Sequence, residues 1–239
     1  MLIHLPALAV ILPLLSAPLC LFLRRSLFAW LFTVIASGVT MLVSITLLQQ
    51  VMASGTIVYE MGGWSAPWGI EYRVDKLNAY LLLIITSIST VVLLAAHTSI
   101  EKEIPEDRHT LFYVLYLLSL AGMLGVVITG DAFNVFVFLE ISSLAAYSLI
   151  ALGKDRRALW AAYQYLIMGT IGATFILIGI GLMYQMTGTL NMDDLSRRLP
   201  EVAQTRTVFT AFAFIIVGVC LKIALFPLHR WLPNAYAYA

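Results

Sequence analysis

The sequence contains few charged residues and few cysteines. Only 11% of its 239 positions are Asp, Glu, Lys or Arg, against about 25% in an average soluble domain. The net charge of +1 gives no indication that the chain binds nucleic acid. Cys20 and Cys220 each stand alone in an apolar run, which excludes a CxxC motif or a zinc-ligand spacing. We therefore expect neither a bound metal nor a cofactor in this chain.

Apolar residues are abundant instead and make up 61% of the chain. They form long runs, and about 20 helical residues at about 1.5 Å each cross the hydrocarbon layer of a membrane. The sequence thus predicts an all-α membrane protein with about seven transmembrane helices, forming a single transmembrane domain over residues 1–239. The predicted segments are residues 2–23, 27–48, 77–96, 110–128, 132–151, 159–186 and 207–226.

The loops between these segments predict one small hairpin and an orientation. Residues 70–75, IEYRVD, alternate apolar and polar side chains as a strand does, and they pair with residues 56–59 in the prediction. Residues 187–206 are interpreted as a polar linker. Basic residues are more numerous on one side, so the positive-inside rule places that side in the cytoplasm and the N-terminus and hairpin outside a plasma (inner) membrane. The richer side holds Arg24, Arg25, Lys102, Arg108, Lys154, Arg156, Arg157 and Arg230, and the other holds Arg73, Lys76, Arg197, Arg198 and Arg206.

Two charged residues lie inside predicted membrane segments. Of the 14 basic and 13 acidic residues, only Glu140 and Lys222 are not in loops or at segment edges. A charge at the centre of a membrane helix costs at least about 2.5–3.5 kcal/mol, so such residues are usually functional. Pro227 follows Lys222 by five residues and predicts a broken helix there. Broken membrane helices are tolerated where protein or water covers the freed carbonyls, which indicates a hydrated cavity beside Lys222.

Glu140 and Lys222 admit two interpretations. They form a proton relay, because an acid and a base in a medium of low dielectric constant perturb each other's protonation, or they form only a structural ion pair between helices. Ser143 and Tyr147, at i+3 and i+7, share a helix face with Glu140 and are candidate supporting groups. His229 either extends the relay or caps the helix. Other residues are interpreted as structural: Trp160, Tyr163 and Tyr165 as interface aromatics, and Gly169, Gly172, Gly179 and Gly181 as points of close helix packing.

Four stretches resemble a known family: YEMGGWSAPWGIEYRVDKLNAY, GDAFNVFVFLEISSLAAYSLIAL, AAYQYLIMGTIGATFILIGIGLMYQMTGTLNM and LKIALFPLHRWLPNAYAYA. They are similar to the antiporter-like membrane subunits, with PLHRWLPNAY the most specific part. That family contains the large subunits of Mrp-type cation/proton antiporters, of membrane-bound hydrogenases and of proton-pumping NADH:quinone oxidoreductase (complex I). The details resemble the D-type Mrp subunit and its hydrogenase counterpart most.

The resemblance implies roles and an architecture. Glu140 matches the family's fifth-helix glutamate and Lys222 the lysine of its broken seventh helix, a coupled pair that gates protons. His229 matches the histidine of the PLHxWLP string. Family members have about fourteen helices in two inverted repeats, so the resemblance implies the N-terminal half: three helices over residues 1–100 and a first repeat from about residue 110 that is incomplete at 239. We expect another chain, or a further segment, to supply the second repeat, and no transport by this chain alone.

The leading hypothesis is therefore a proton-translocating subunit of a cation/proton antiporter or complex-I-like assembly. It would move H⁺, alone or in exchange for Na⁺ or K⁺, next to other membrane subunits, and would carry no catalytic chemistry itself even within an NADH:quinone oxidoreductase-like or hydrogenase-like complex. One alternative is a structural subunit with a vestigial channel. Another is a seven-helix retinal protein, which the absence of Asp and Glu from residues 77–96 and the break at Pro227 disfavour.

Overall fold

The computed structural model describes residues 2–23 and 25–238, and Arg24, one of the residues predicted to be cytoplasmic, lies outside the described residues. The described chain is mostly helical and has one two-stranded sheet. Its helices are α1 Leu5–Cys20, α2 Ser26–Ser54, α3 Lys76–Glu103, α4 His109–Ile128, α5 Ala132–Ala151, α6 Arg156–Thr187, α7 Met192–Val202, α8 Arg206–Lys222 and α9 Trp231–Tyr238. Its strands are β1 Ile57–Glu60 and β2 Glu71–Val74.

Five of the described helical segments are long and apolar enough to cross a membrane, fewer than the seven predicted spans. They are Ser26–Ser54, Lys76–Glu103, Glu106–Ile128, Ala132–Ala151 and Arg156–Thr187. The first predicted span is the shorter, 16-residue helix α1, which contains Pro13 and Pro18. The last predicted span divides, because α8 ends at Lys222. The prediction of a membrane-type helical protein is confirmed, and the count of seven spans is not.

The predicted hairpin is confirmed. Strands β1 and β2 pair antiparallel, with Ile57 opposite Val74 and Glu60 opposite Glu71. The His4 Nδ1 atom and the Tyr59 hydroxyl lie 2.9 Å apart, within hydrogen-bond distance. The beginning of α1 therefore lies at the same end of the molecule as the hairpin.

Polar side chains mark the starts of several helices. Asp75 and Asn78 form a reciprocal capping box at α3, and the Asp131 carboxylate accepts a hydrogen bond from the Asn134 backbone at α5. Asn191 caps α7, a helix in the stretch that the sequence analysis interpreted as a linker. The polar connection between α6 and α8 thus contains a helix, in which Met192, Leu195, Leu199 and Val202 repeat with a helical period.

In the second half of the chain, neighbouring helices approach each other closely at glycines. A Cβ on Gly218 of α8 would lie 2.6 Å from the Gly172 carbonyl of α6, so only glycine fits at this crossing. A Cβ on Gly169 would overlap the Tyr147 hydroxyl, and one on Gly179 would overlap the Ile215 side chain. The packing role predicted for Gly169, Gly172 and Gly179 is thus confirmed. It was wrong for Gly181, which has no neighbour within 4 Å.

Candidate functional site

The two charged side chains inside the predicted membrane segments meet in the structure. The Lys222 ammonium donates to Glu140 Oε1 at 2.8 Å and to Ser143 Oγ at 2.9 Å. The side chains of Lys222 and Glu140 are 11% and 22% exposed. A charge that is buried to this extent and has no partner would be strongly destabilised. Each of the two charges therefore stabilises the other.

Helix packing sets this geometry. Glu140 and Ser143 are three residues apart on α5, so their side chains lie on one face. Lys222 is the last residue of α8. Helix α6 packs against both α5 and α8, and its close crossing with α8 at Gly172 and Gly218 lies one turn before Lys222. The close crossing therefore holds the ammonium at hydrogen-bonding distance from the carboxylate.

The chain leaves helical geometry directly after Lys222. Residues 223–230, which include Pro227, are not helical, and Ala224 adopts a left-handed conformation with φ of 54°. The freed Leu221 carbonyl accepts a hydrogen bond from Trp231 Nε1 at 3.1 Å. The helix ends five residues before Pro227, since this proline cannot donate to a carbonyl in the preceding turn and its ring clashes with that turn.

A cavity of about 550 Å³ opens beside Lys222. Tyr165, Trp231 and Tyr236 contribute to its walls, and Lys222 lines it directly. An ammonium has three N–H donors, and two of those on Lys222 are used by Glu140 and Ser143. The cavity thus offers space for water next to the remaining donor.

Within the described residues, no hydrogen bond joins the charge pair to Tyr147 or His229, two of the predicted site residues. The Tyr147 hydroxyl lies over Gly169 and has no hydrogen-bond partner within the described chain. The His229 ring lies 5.4 Å from the ring of Phe226, and its buried Nδ1 atom also finds no partner among the described residues. Each of these two buried atoms therefore needs water or a group outside the described residues to complete its hydrogen bonding.

The site has an aromatic wall that sequence reasoning did not find. The Tyr165 ring stacks on Trp231 at 4.1 Å and meets Tyr147 edge to face at 4.4 Å. Tyr165 had been interpreted as an interface aromatic, and the structure places it in this interior column instead. The sequence held only a weak signal, namely that Trp231 follows the break at Pro227 within one turn.

The site is a charged acid–base pair without a metal cluster. Among residues 2–23 and 25–238, no group of three or more His, Cys, Asp or Glu is arranged to hold a metal ion. A proton acceptor and a proton donor are thus in direct contact, and each charge stabilises the other.

Comparisons with known proteins show what the chain is similar to. Residues 129–239 match the family described as "NADH:quinone oxidoreductase/Mrp antiporter, TM". NADH-quinone oxidoreductase subunit N of Desulforudis audaxviator is 43% identical over 98% of this chain and 47% of its own length. The D-type subunit of the Na(+)/H(+) antiporter of Bacillus subtilis is 35% identical over 96% of this chain and 46% of its own length. The chain spans about half the length of these curated relatives.

Solved structures share the fold. A chain of the membrane-bound sulfane sulfur reductase, an archaeal respiratory complex, superposes with a TM-score of 0.90 at 34% identity, covering 99% of this chain and 48% of that one. A chain of the Mrp complex from Dietzia sp. DQ12-45-1b superposes with a TM-score of 0.84 at 24% identity, covering 98% and 43%. The chain belongs to the NADH:quinone oxidoreductase/Mrp antiporter family of membrane subunits.

Proposed function

We propose that this chain is a proton-translocating membrane subunit in which Glu140 and Lys222 carry the proton. The observation that supports this most is the 2.8 Å contact between Lys222 Nζ and Glu140 Oε1. Intramembrane acid–base pairs are costly to insert and are usually found on ion or proton pathways. The helix break and the cavity beside Lys222 supply the space for water that a pathway requires.

In the proposed step, the uptake of a proton by Glu140 leads to the release of a proton by Lys222. A proton arriving through water binds the Glu140 carboxylate, which becomes neutral and stops stabilising the Lys222 ammonium. The ammonium is then a lone charge in a medium of low dielectric constant, which is disfavoured. Lys222 releases its own proton to water in the cavity on its other side, and it recovers a proton when Glu140 loses one. Ser143 holds the ammonium in place, and the unsatisfied polar atoms of Tyr147 and His229 are the groups through which we propose that the path continues.

The topology we propose counts α1 as a span and treats α8, the break and α9 as one interrupted span, which gives seven. The proposed orientation places the hairpin and the N-terminus outside the cell and Lys154 and Arg157 in the cytoplasm. Contacts within the chain support this division of the basic residues between two sides. Lys154 donates to the Lys102 carbonyl at the end proposed to be cytoplasmic, and Arg73 pairs with Asp193 at the hairpin end. We also propose that the helices from α4 onward belong to the first of two inverted repeats.

The partners we propose are other membrane subunits. The relatives named above are subunits or chains of larger assemblies. In this chain, the faces around the break expose large apolar side chains, including Phe226 at 80% and Tyr236 at 80%. A proton path that crosses about 30 Å of hydrocarbon also needs more sites than one pair.

The test is proton flux in proteoliposomes that hold the complete complex containing this subunit. We expect Glu140→Gln to lower cation-dependent or redox-dependent proton flux by at least about tenfold, because removing a group that must carry the proton raises the barrier by more than about 1.4 kcal/mol. The matched control is Glu106→Gln, an exposed carboxylate in the turn before α4, which leaves flux unchanged. Near-normal flux with Glu140→Gln contradicts the proposal and favours a vestigial channel.

A further inference from the structure

The first residue of α9 contacts the last turn of α8 across the break in the helix. Trp231 is 6% exposed, and its indole Nε1–H donates to the Leu221 carbonyl at 3.1 Å. Leu221 directly precedes Lys222, the last residue of α8. The indole therefore binds the backbone of the residue next to the lysine that forms the charge pair.

The carbonyl that Trp231 binds belongs to a helix end, where such groups need partners. The last carbonyls of a helix have no acceptor role within it, and a lysine in the last turn can bind them. The carbonyls of Val219 and Cys220 accept backbone hydrogen bonds at 2.9 Å from the residues that follow α8. The Leu221 carbonyl accepts a longer backbone bond, at 3.3 Å, and the indole is its shorter partner. The indole thus occupies a carbonyl that would otherwise be available to Lys222.

Helix α6 holds the indole in this position. The indole ring stacks on Tyr165, with 4.1 Å between the ring centroids and 3° between the ring planes. Further along α9, the Asn234 side chain donates to Gln164 Oε1 at 2.7 Å. Helix α6 also carries Gly172, where an added Cβ would lie 3.0 Å from the Leu221 Cβ. Helix α6 therefore contacts the chain on both sides of the break.

The position of the indole matters for the ammonium because both groups face one space. Lys222, Tyr165 and Trp231 all line the cavity of about 550 Å³. The ammonium directs two of its donors to Glu140 and Ser143 on α5. A carbonyl released at the end of α8 would compete for these donors, since carbonyls at helix C-termini attract cations.

We propose that Trp231 is a positioning residue for the proton step at Glu140 and Lys222, an inference that rests on the function proposed above. By donating to the Leu221 carbonyl, the indole closes the end of α8, so that the ammonium reaches across to α5 and not back to its own helix. The stack on Tyr165 keeps the indole in place while the charges of the pair change. Trp231 acts through the position of Lys222 and carries no proton itself, because an indole N–H is only a donor.

The test removes the indole N–H and keeps the ring, by site-specific replacement of Trp231 with benzothienylalanine in the complete complex. Sulfur takes the place of the N–H group in this analogue, so the stack on Tyr165 is retained and the donor is lost. Proton flux in proteoliposomes should fall about tenfold, which corresponds to about 1.4 kcal/mol in the barrier. The pH of half-maximal flux should also shift, because the ammonium gains a competing acceptor.

Two further variants make the test specific. Trp231→Phe also keeps an aromatic ring and lacks the donor, so it should reproduce both effects. The same benzothienylalanine replacement at Trp160, which is 60% exposed on α6, is the matched control and should change neither the flux nor its pH dependence. The amount of assembled complex and its unfolding temperature are measured for every variant.

Three results would overturn the proposal. Normal flux without the indole N–H, in a complex that Glu140→Gln inactivates, would remove the positioning role and leave the proposed proton function intact. A loss of flux that only follows the amount of assembled complex, at an unchanged pH of half-maximal flux, would show that Trp231 merely stabilises the fold. Near-normal flux with Glu140→Gln would overturn the proposed function and this inference with it.

Discussion

Helices α1–α4 and helices α5–α9 bury different kinds of residue. The largest fully buried side chains all lie in α1–α4 or the hairpin, among them Tyr113, Leu120 and Ile128. In α5–α9 the fully buried residues are small, such as Ala161 and Ala211, and the helices meet at glycines. The first region is thus packed by large side chains, and the second by close backbone contact.

The two regions also differ in the charge of the groups that join their helices. In α1–α4 these groups are neutral: the Thr33 hydroxyl donates to the Ala29 carbonyl of its own helix, and Ser37 and Thr90 share a hydrogen bond between α2 and α3. In the second region the charged Lys222 reaches from α8 to α5. Helices α1–α4 thus form a scaffold of large apolar side chains and neutral hydrogen bonds, while the second region carries an ion pair between two helices.

The largest effect on stability should come from the scaffold. Leu120→Ala removes a fully buried side chain from α4 and should lower the free energy of unfolding by about 2–5 kcal/mol. Leu144→Ala on α5 is the matched control, because Leu144 is 51% exposed. Unfolding by a denaturing detergent measures both. Equal losses for the two variants would contradict the contrast in packing.

The next effect concerns the glycine crossing. Gly218→Val places a side chain against the Gly172 carbonyl and should lower the free energy of unfolding by about 1–3 kcal/mol through overpacking. Gly181→Val is the matched control, because it makes the same change in helix propensity at a position with no neighbour within 4 Å. If the two variants unfold at the same temperature, the crossing between α6 and α8 is not tight.

A smaller effect should come from the charge pair. Lys222→Met leaves Glu140 without its partner and should cost about 1–2 kcal/mol, less than the about 3–5 kcal/mol of a fully buried pair because Glu140 is 22% exposed. The double variant Glu140→Gln with Lys222→Met should recover part of this loss. Strictly additive losses in thermal unfolding would mean that the two groups do not interact.

The smallest effect should come from α7, outside the membrane-spanning helices. Desolvation opposes the charge of Asp194, but hydrogen bonds from Arg198 and Thr189 and the charges of Arg198 and Arg197 hold the pKa of this carboxyl below its usual value. A lowered pKa in the folded state adds stability above the usual Asp pKa, and this stability is lost as the pH falls through the folded value. Asp194→Asn should therefore lower the unfolding temperature slightly at neutral pH.

The pH profile of that variant provides the check. The difference in unfolding temperature between Asp194→Asn and the unsubstituted protein should shrink as the pH falls below about 4, near the ordinary Asp pKa. Asp107→Asn, at an exposed position in the turn before α4, is the comparison variant. A difference that stays constant from neutral to acidic pH would show that the charge of Asp194 is not its cause.

Two kinds of feature could be predicted from the sequence: those set by a local pattern of residues and those set by the cost of burying a charge. The hairpin followed from the alternation in residues 70–75, and the contact between Glu140 and Lys222 was foreseeable because lone charges in a membrane need partners. The column of Tyr165 and Trp231 depends on how α6 meets the chain after the break. Such long-range arrangements leave no local signal.

The central claim is that Glu140 and Lys222 act as one unit in proton transfer. The most direct test is a double-variant cycle on proton flux in the reconstituted complex, with Glu140→Gln, Lys222→Met and both together. Groups that act as a unit are non-additive, so the account predicts that each single change removes most of the flux and that the double variant loses little more. Losses that multiply independently, or a single variant with near-normal flux, would contradict it.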